Sequence, residues 1–489
     1  MLKEKLICKG VLGDTIVGAY FYEGYDGLNS APVEIDGEKN EVNDEEYYYT
    51  EFHSDTSESD YHSFCQTYHF EGVHLEFLLN KLDTTKYFNA DLNDVLYKDE
   101  ELIRIVESIL KDNKLFNRND EVHISQDGCL SVTLLNRKLD EKVKSVGDKI
   151  LDAVRDYYDN LGIHVTRMFG SYILLVNVGG NLRAVYATPI PIKYCPLMIK
   201  LLKEVGGDYA LKLIDSLSNE DVQAQKNAMC ELINEVVIKG GYFDTNRPLN
   251  SCEANVSFGA SETMSSAFKS GLIDASVIVS NNLGTIITTN ESNTQGAVKR
   301  MTGLFHTSPN EKIMSTAKRE GIIPVFPHTG KIDQLEGVKK AIGLGFKNIA
   351  VSVASFDNYL HKELASLEKE YSVKIYKFGL CSTGIDYETA IMMRDYADVI
   401  WSCASKYVVE EIEPNSIAQV GVKIPVYVMT EQGLDIIRNH LLMTYKNEKI
   451  EDVHSNKFDR PVFLNGENGI KVLRKSALHK CTDCPHPCV

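Results

Sequence analysis

Apolar positions change their spacing along this chain, and the change marks out its parts. Over 102–110 and again over 143–161 they recur every three or four residues, the period of one helix face. In the second stretch Val143, Val146, Ile150, Leu151, Val154, Tyr158 and Leu161 share a face, and Gly162 supplies the stop. A hairpin is predicted next, from Ile173-Leu174-Leu175-Val176 through the Gly179-Gly180 turn to 182–186. Two or three helices are expected over 196–239, ending at Gly240-Gly241.

From 274 onward, short β-branched runs alternate with helical ones. Strands are predicted at 274–280, 285–288, 322–326, 349–353, 373–378, 398–401 and 425–429, with Asn282-Leu283-Gly284 turning the first into the second. Ser308-Pro309-Asn310-Glu311 reads as a capping box with proline at the first helical position, and Asp333 with Glu336 caps the following helix. Repeated strand–helix units predict a doubly wound, mainly parallel, Rossmann-like sheet in the C-terminal half. The expected division is an α+β domain over 1–160 with an acidic insertion at about 22–60, a hairpin and helical segment over 161–250, an α/β sheet domain over 251–445 and a Cys-rich tail over 446–489.

Composition narrows the class. The chain has 489 residues, 43% of them hydrophobic, and a formal net charge of −17, which disfavours nucleic acid or an anionic membrane as partner. No apolar stretch suited to a signal peptide follows Met1-Leu2-Lys3, and none approaches the roughly 20 residues of a membrane span. Eleven cysteines without an export signal are expected to be reduced thiols in the cytoplasm, a usage that suits an anaerobe.

The chemistry concentrates in the tail. Cys481, Cys484 and Cys488 form C-x2-C-x3-C, stiffened by Pro485 and Pro487, a spacing suited to a 4Fe-4S cluster or to zinc. Four ligands are usual. The fourth is expected from Cys195 in Tyr194-Cys195-Pro196-Leu197, with His479, His486 or an open position as alternatives, and the first choice requires the carboxyl terminus to lie near Cys195. A second group, His62, Cys65, His69 and His74, is either a metal face or a set of ordinary polar residues beside the acidic insertion.

Ligands of open parallel sheets sit beyond the carboxyl ends of the strands. Those ends carry His328, Thr329 and Lys331; Ser355 and Asp357; Cys381, Ser382, Thr383 and Gly384; Cys403, Ser405 and Lys406; and Thr430 and Glu431. The candidate ligand-binding residues are Thr383, Gly384, Ser405, Lys406, Ser355 and His328, with Cys381 and Cys403 as candidate catalytic thiols. Single hydroxyls here also serve as helix caps, and single cysteines as small buried apolar groups. No phosphate loop, no G-x-G-x-x-G after a first strand and no G-x-S-x-G elbow occurs, so P-loop ATPases, conventional nicotinamide dehydrogenases and elbow hydrolases are not expected.

Several short motifs, in order, resemble the methanogenesis marker protein 8 family. They are Tyr194-Cys195-Pro196-Leu197, Val256-Ser257-Phe258-Gly259-Ala260-Ser261-Glu262, Gly271-Leu272-Ile273-Asp274-Ala275, Met301-Thr302-Gly303-Leu304, Lys331-Ile332-Asp333-Gln334 with Glu336-Gly337, and Cys403-Ala404-Ser405-Lys406. They cover roughly 190–440. Where the resemblance leads one to expect a histidine at the Thr-Gly-Ile motif, the chain has Cys381-Ser382-Thr383-Gly384-Ile385. The resemblance implies a setting in anaerobic one-carbon or redox metabolism.

The expectation is therefore a cytoplasmic iron–sulfur protein with a small anionic ligand at the sheet rim, acting on a metabolite or assisting the maturation of a metalloenzyme through a redox or maturation partner. A zinc-stabilised, non-catalytic binding or assembly protein is the alternative, and a thiol enzyme using Cys403 the second alternative.

Overall fold

The helix predicted over 143–161 is present as Glu141–Leu161, and it closes the first of two compact units, Met1–Leu161 and Gly162–Val489. A computed structural model describes residues 7–9, 16–24, 72–79, 81–125, 128–191, 196–253, 256–299, 303–354, 359–403, 405–422, 425–445, 460–466 and 469–474.

The first unit is built on five antiparallel strands, β1 Ile7–Lys9, β2 Ile16–Gly24, β3 Gly72–Leu79, β4 Glu121–Ile124 and β5 Cys129–Leu135, in the order β1-β2-β3-β5-β4. β3 is central and buried at every position. The helix Asp99–Asp112 buries Leu102, Val106 and Leu110 and places Asp99, Glu100 and Glu101 in its first turn, where carboxylates oppose the positive helix end. The acidic insertion was expected from residue 22, but β2 continues through Gly24; beyond it the insertion, with His62, Cys65 and His69, lies outside the described residues. His74 is described, and it is structural. Its buried ring bonds Thr133 Oγ1 at 2.8 Å and Glu76 Oε1 at 3.1 Å, inside the sheet.

Two sheets organise the second unit. Four antiparallel strands, β6 His164–Met168, β7 Ser171–Val178, β8 Asn181–Ala187 and β11 Gly303–Thr307, run in the order β11-β6-β7-β8. β7 and β8 are the predicted hairpin. β11 comes from the middle of the expected α/β segment, so the stretches 161–250 and 251–445 share a sheet. The helices Pro196–Ser218 and Val222–Leu232 cover it, with Met229, Leu232 and Ile233 packed on Ile173 and Leu175.

The larger sheet has ten strands: β9 Ala275–Ser280, β10 Gly284–Thr288, β12 Ile323–Pro324, β13 Asn348–Ala354, β14 Lys374–Leu380, β15 Val399–Trp401, β16 Ala418–Val420, β17 Val426–Val428, β18 Pro461–Gly466 and β19 Gly469–Arg474. Their order is β12-β10-β9-β13-β14-β15-β17-β16-β18-β19. Its centre, β9-β13-β14-β15, is a run of parallel neighbours, and β16 with β18 is a separate parallel pair. Successive side chains alternate between faces: Ile278, Ile286, Tyr376 and Phe378 pack with the helices Ala260–Ser270 and Glu431–Tyr445, whereas Val277, Ile287, Val351 and Ile375 pack with Gln334–Gly343 and Leu360–Glu370. Among the described residues no helix is long and apolar enough to cross a membrane.

Three local expectations need correction. The sheet is mixed, because β17 runs antiparallel to β15 and thereby carries Thr430 and Glu431 to the opposite end; Thr430 Oγ1 bonds Asp398 Oδ1, just before β15, at 2.6 Å. The helix predicted from Ser308 starts at Glu311, capped by Asn310, whose side chain accepts from the amides of Lys312 and Ile313. Ser308 instead joins strand ends, accepting from Ile163 N at 2.9 Å and donating to Ile163 O at 3.1 Å. The strand expected over 322–326 shortens to the two residues of β12 at the sheet edge. Asp333 caps the next helix as predicted, accepting from Glu336 N at 3.0 Å.

Two buried histidines set an acid limit. Burial, reinforced by His306 and Arg247, pushes His164 down to about 3; burial and Lys377 do the same to His361, also about 3. Both bind a proton more readily unfolded, so their stabilising contribution is full above about 6.5 and is lost as pH falls toward 3, by about 1.4 kcal/mol per pH unit for each. Denaturant titrations between pH 7.5 and 4 should show this loss. His361→Leu, which replaces a ring with no hydrogen-bond partner at either nitrogen among the described residues, should shallow the slope by one histidine's share.

Candidate thiol site at the sheet rim

β14 and β15 are parallel neighbours, paired at Phe378↔Val399 and Gly379↔Ile400, so their carboxyl ends open on the same edge. Cys381 follows the first strand by one residue and Cys403 the second by two. Ser382 stitches the two ends together: its Oγ donates to Trp401 O at 3.0 Å and accepts from Cys403 N at 2.8 Å.

Cys381 has a φ of +58°, a left-handed conformation that costs a non-glycine residue roughly 1–2 kcal/mol. The backbone around it is held from the other sheet. Arg167 of β6, buried, donates from Nη1 to Cys381 O at 3.1 Å, from Nη2 to Thr383 O at 2.7 Å and from Nε to Gly170 O at 3.2 Å. Burial pushes the guanidinium below its usual pKa, and Tyr172, Cys381 and Cys403 pull it back up. Gly303 of β11 leaves the space that the thiol occupies, since a Cβ there would sit 3.0 Å from Cys381 Sγ.

The two thiols differ. Burial, with Cys403 nearby, pushes the Cys381 thiol up to about 11 against the opposing pull of Arg167, so it is protonated at neutral pH. Cys403 is exposed. The other predicted rim residues also separate. Thr383 and Ser405 are buried, Ser405 donating to Ile385 O at 3.4 Å, while Gly384 (φ +64°) turns against Pro191 and Lys406 is exposed with its ammonium 5.4 Å from the Tyr407 ring centroid. His328 follows β12, four strand spacings from β14, about 19 Å at ~4.8 Å each. It does not join the cysteines. Ser355, Cys195, Cys481, Cys484 and Cys488 lie outside the described residues. Among the described residues, no group of three or more His, Cys, Asp or Glu side chains is placed to hold a metal ion.

Arg167 was not singled out from the sequence, and Gly303 entered only as part of Met301-Thr302-Gly303-Leu304. The one available signal for Arg167 was a charge inside a short β-branched strand.

Residues 164–442 match the model of a family described as an uncharacterized protein conserved in archaea (DUF2099). The chain belongs to this family. It is similar to the uncharacterized protein MJ0054 of Methanocaldococcus jannaschii, with 34% identity over 276 residues, which is 56% of this chain and 89% of that protein. No solved structure matches. The matched stretch begins at the first residue of β6 and takes in Arg167, Cys381 and Cys403, while the first unit and the tail fall outside it.

Alkylation of the native protein at neutral pH should label Cys403 and the exposed Cys252, whereas Cys381 and Cys129 should react only after unfolding. Arg167→Met should leave carbonyls of the Cys381 loop without their donors, destabilise the protein by about 3 kcal/mol and bring Cys381 into the rapidly labelled set.

Proposed function

We propose that this family member is a metal–thiolate protein of anaerobic redox or one-carbon metabolism. A small anionic ligand binds at the rim beside Cys381 and Cys403. An iron–sulfur cluster is held by Cys481, Cys484 and Cys488, with Cys195 as fourth ligand. The resemblance of its motifs to methanogenesis marker protein 8 supports that metabolic setting.

The observation that carries the reading is the presentation of two cysteines from adjacent parallel strand ends over a buried guanidinium. Cys381 is an unfavourable residue for a left-handed turn, yet two arginine hydrogen bonds to its loop and a facing glycine accommodate it. Its thiol, with a pKa of about 11, stays protonated at neutral pH and is a poor free nucleophile, so at this rim it meets an anionic ligand as an S–H donor. Arg167 supplies the positive charge that favours thiolates and anions there.

A second reading is a thiol enzyme in which Cys403, the exposed member of the pair, attacks an electrophile beside Lys406. A zinc-stabilised, non-catalytic binding or assembly protein is the remaining reading, with structural zinc in place of the cluster and no redox chemistry.

Anaerobic purification with metal analysis separates these. The first reading expects iron and acid-labile sulfide, with a visible absorption bleached by dithionite and lost in Cys484→Ser; Cys381→Ser and Cys403→Ser should keep that absorption and lose anion binding. A colourless, folded protein with one zinc supports the assembly reading. Metal-free protein with rapid, selective loss of the Cys403 thiol supports the thiol enzyme.

A further inference from the structure

The Val256–Glu262 segment, so far noted only for its motif, borders a cleft of about 470 Å³ whose lining includes neither thiol of the rim, a size in the range of small-molecule sites. Its walls come from the helices Ala260–Ser270, Glu291–Lys299 and Glu431–Tyr445, together with β18.

The cleft is built rather than incidental. Glu262, 6% exposed, accepts from Val256 N at 3.3 Å, Gln295 Nε2 at 3.1 Å and Ser261 Oγ at 2.9 Å, so its carboxylate has one position. A Cβ on Gly259 would overlap that carboxylate, which explains the glycine. His440 forms another wall: Nε2 donates to Ser257 O at 2.8 Å and Nδ1 lies 2.9 Å from Ser266 Oγ. Both ring nitrogens are engaged, and burial lowers the imidazole's pKa, so His440 adds no positive charge.

The charges in the lining are ordered. Glu262, Ser266 and Lys269 stand at i, i+4 and i+7 along one helix face, which places carboxylate and ammonium positions about 10 Å apart at 1.5 Å per residue. Glu291 adds a second carboxylate to the lining. Such a wall complements a ligand with a cation at one end and an anion at the other. We infer that this cleft binds a small, extended zwitterion, its amine toward Glu262 and Glu291 and its carboxylate toward Lys269.

The protein carries its own reporter. Trp401, the sole tryptophan, donates from Nε1 to Phe258 O at 2.7 Å, and the Phe258 ring lies 5.9 Å from Tyr445 and 6.2 Å from His440, both cleft residues. Occupancy of the cleft therefore changes the surroundings of the indole.

The test uses the full-length protein with 6-aminohexanoate, against hexanoate and pentylamine, which each lack one charge. 6-Aminohexanoate should shift Trp401 emission saturably and raise the melting temperature, with the two single-charge probes weaker by about tenfold, the loss of one charge-assisted contact. Lys269→Gln should weaken 6-aminohexanoate and leave pentylamine unchanged; Glu291→Gln should weaken pentylamine and leave hexanoate unchanged. Cys403→Ser should bind as the parent does, separating this cleft from the thiol rim. No response to 6-aminohexanoate, an equal response to all three probes, or indifference to both substitutions in folded protein would overturn the inference.

Discussion

Arg167 ties the second unit together. A guanidinium taken out of water needs partners for its N–H groups, and the loop after β14 needs donors for carbonyls that no strand ladder satisfies. Each meets the other's requirement. The bonds to Cys381 O and Thr383 O connect positions 214 and 216 residues apart, joining the small sheet to the rim of the large one. Two other buried arginines act similarly. Arg247 donates to Asn281 O and Ser280 Oγ at the β9–β10 turn, and Arg460 reaches Gln419 Oε1 at 3.1 Å and Glu413 Oε1 at 3.4 Å beside β16.

The two ends of the large sheet are treated differently. At the amino end of β15, buried Lys377 meets Asp398 and Glu368, both at 2.9 Å, while Thr430 and Gln432 take further carboxylate oxygens of the same pair. Buried charges paired and hydrogen-bonded in this way close that end and align β14, β15 and β17. The carboxyl end has thiols, glycines and an exposed cysteine instead.

Local signals in the sequence were read well where a local interaction decides the outcome. The Asp333 cap, the β7–β8 hairpin and the Asn282–Gly284 turn all depend on neighbours within a few residues. The strand-end rule also located Cys381 and Cys403 on adjacent strands. The direction of β17 was not legible, because a strand buried on both faces has the same apolar run whichever way it points. The intervening π-turn Val408–Ile412 and β16, which reverse the chain, carry no strong periodic signal. Asn310 displaced Ser308 as cap because Ser308 is engaged with Ile163, a partner 145 residues away. Arg167 escaped for the same reason: its meaning lies in carbonyls more than 200 positions distant.

The pairing of β6 with β11 has a consequence for how the protein is made. Thr166 and Gly303 are bonded across 137 residues, so the hairpin leaves the ribosome with the β6 edge open and its partner not yet synthesised. At translation rates of about 5–20 residues per second that interval lasts roughly 7–30 seconds. Throughout it, an unpaired strand with unsatisfied amides is a template for the wrong neighbour. The nascent chain thus carries this open edge midway through synthesis, when a chaperone covering it would guard against mispairing.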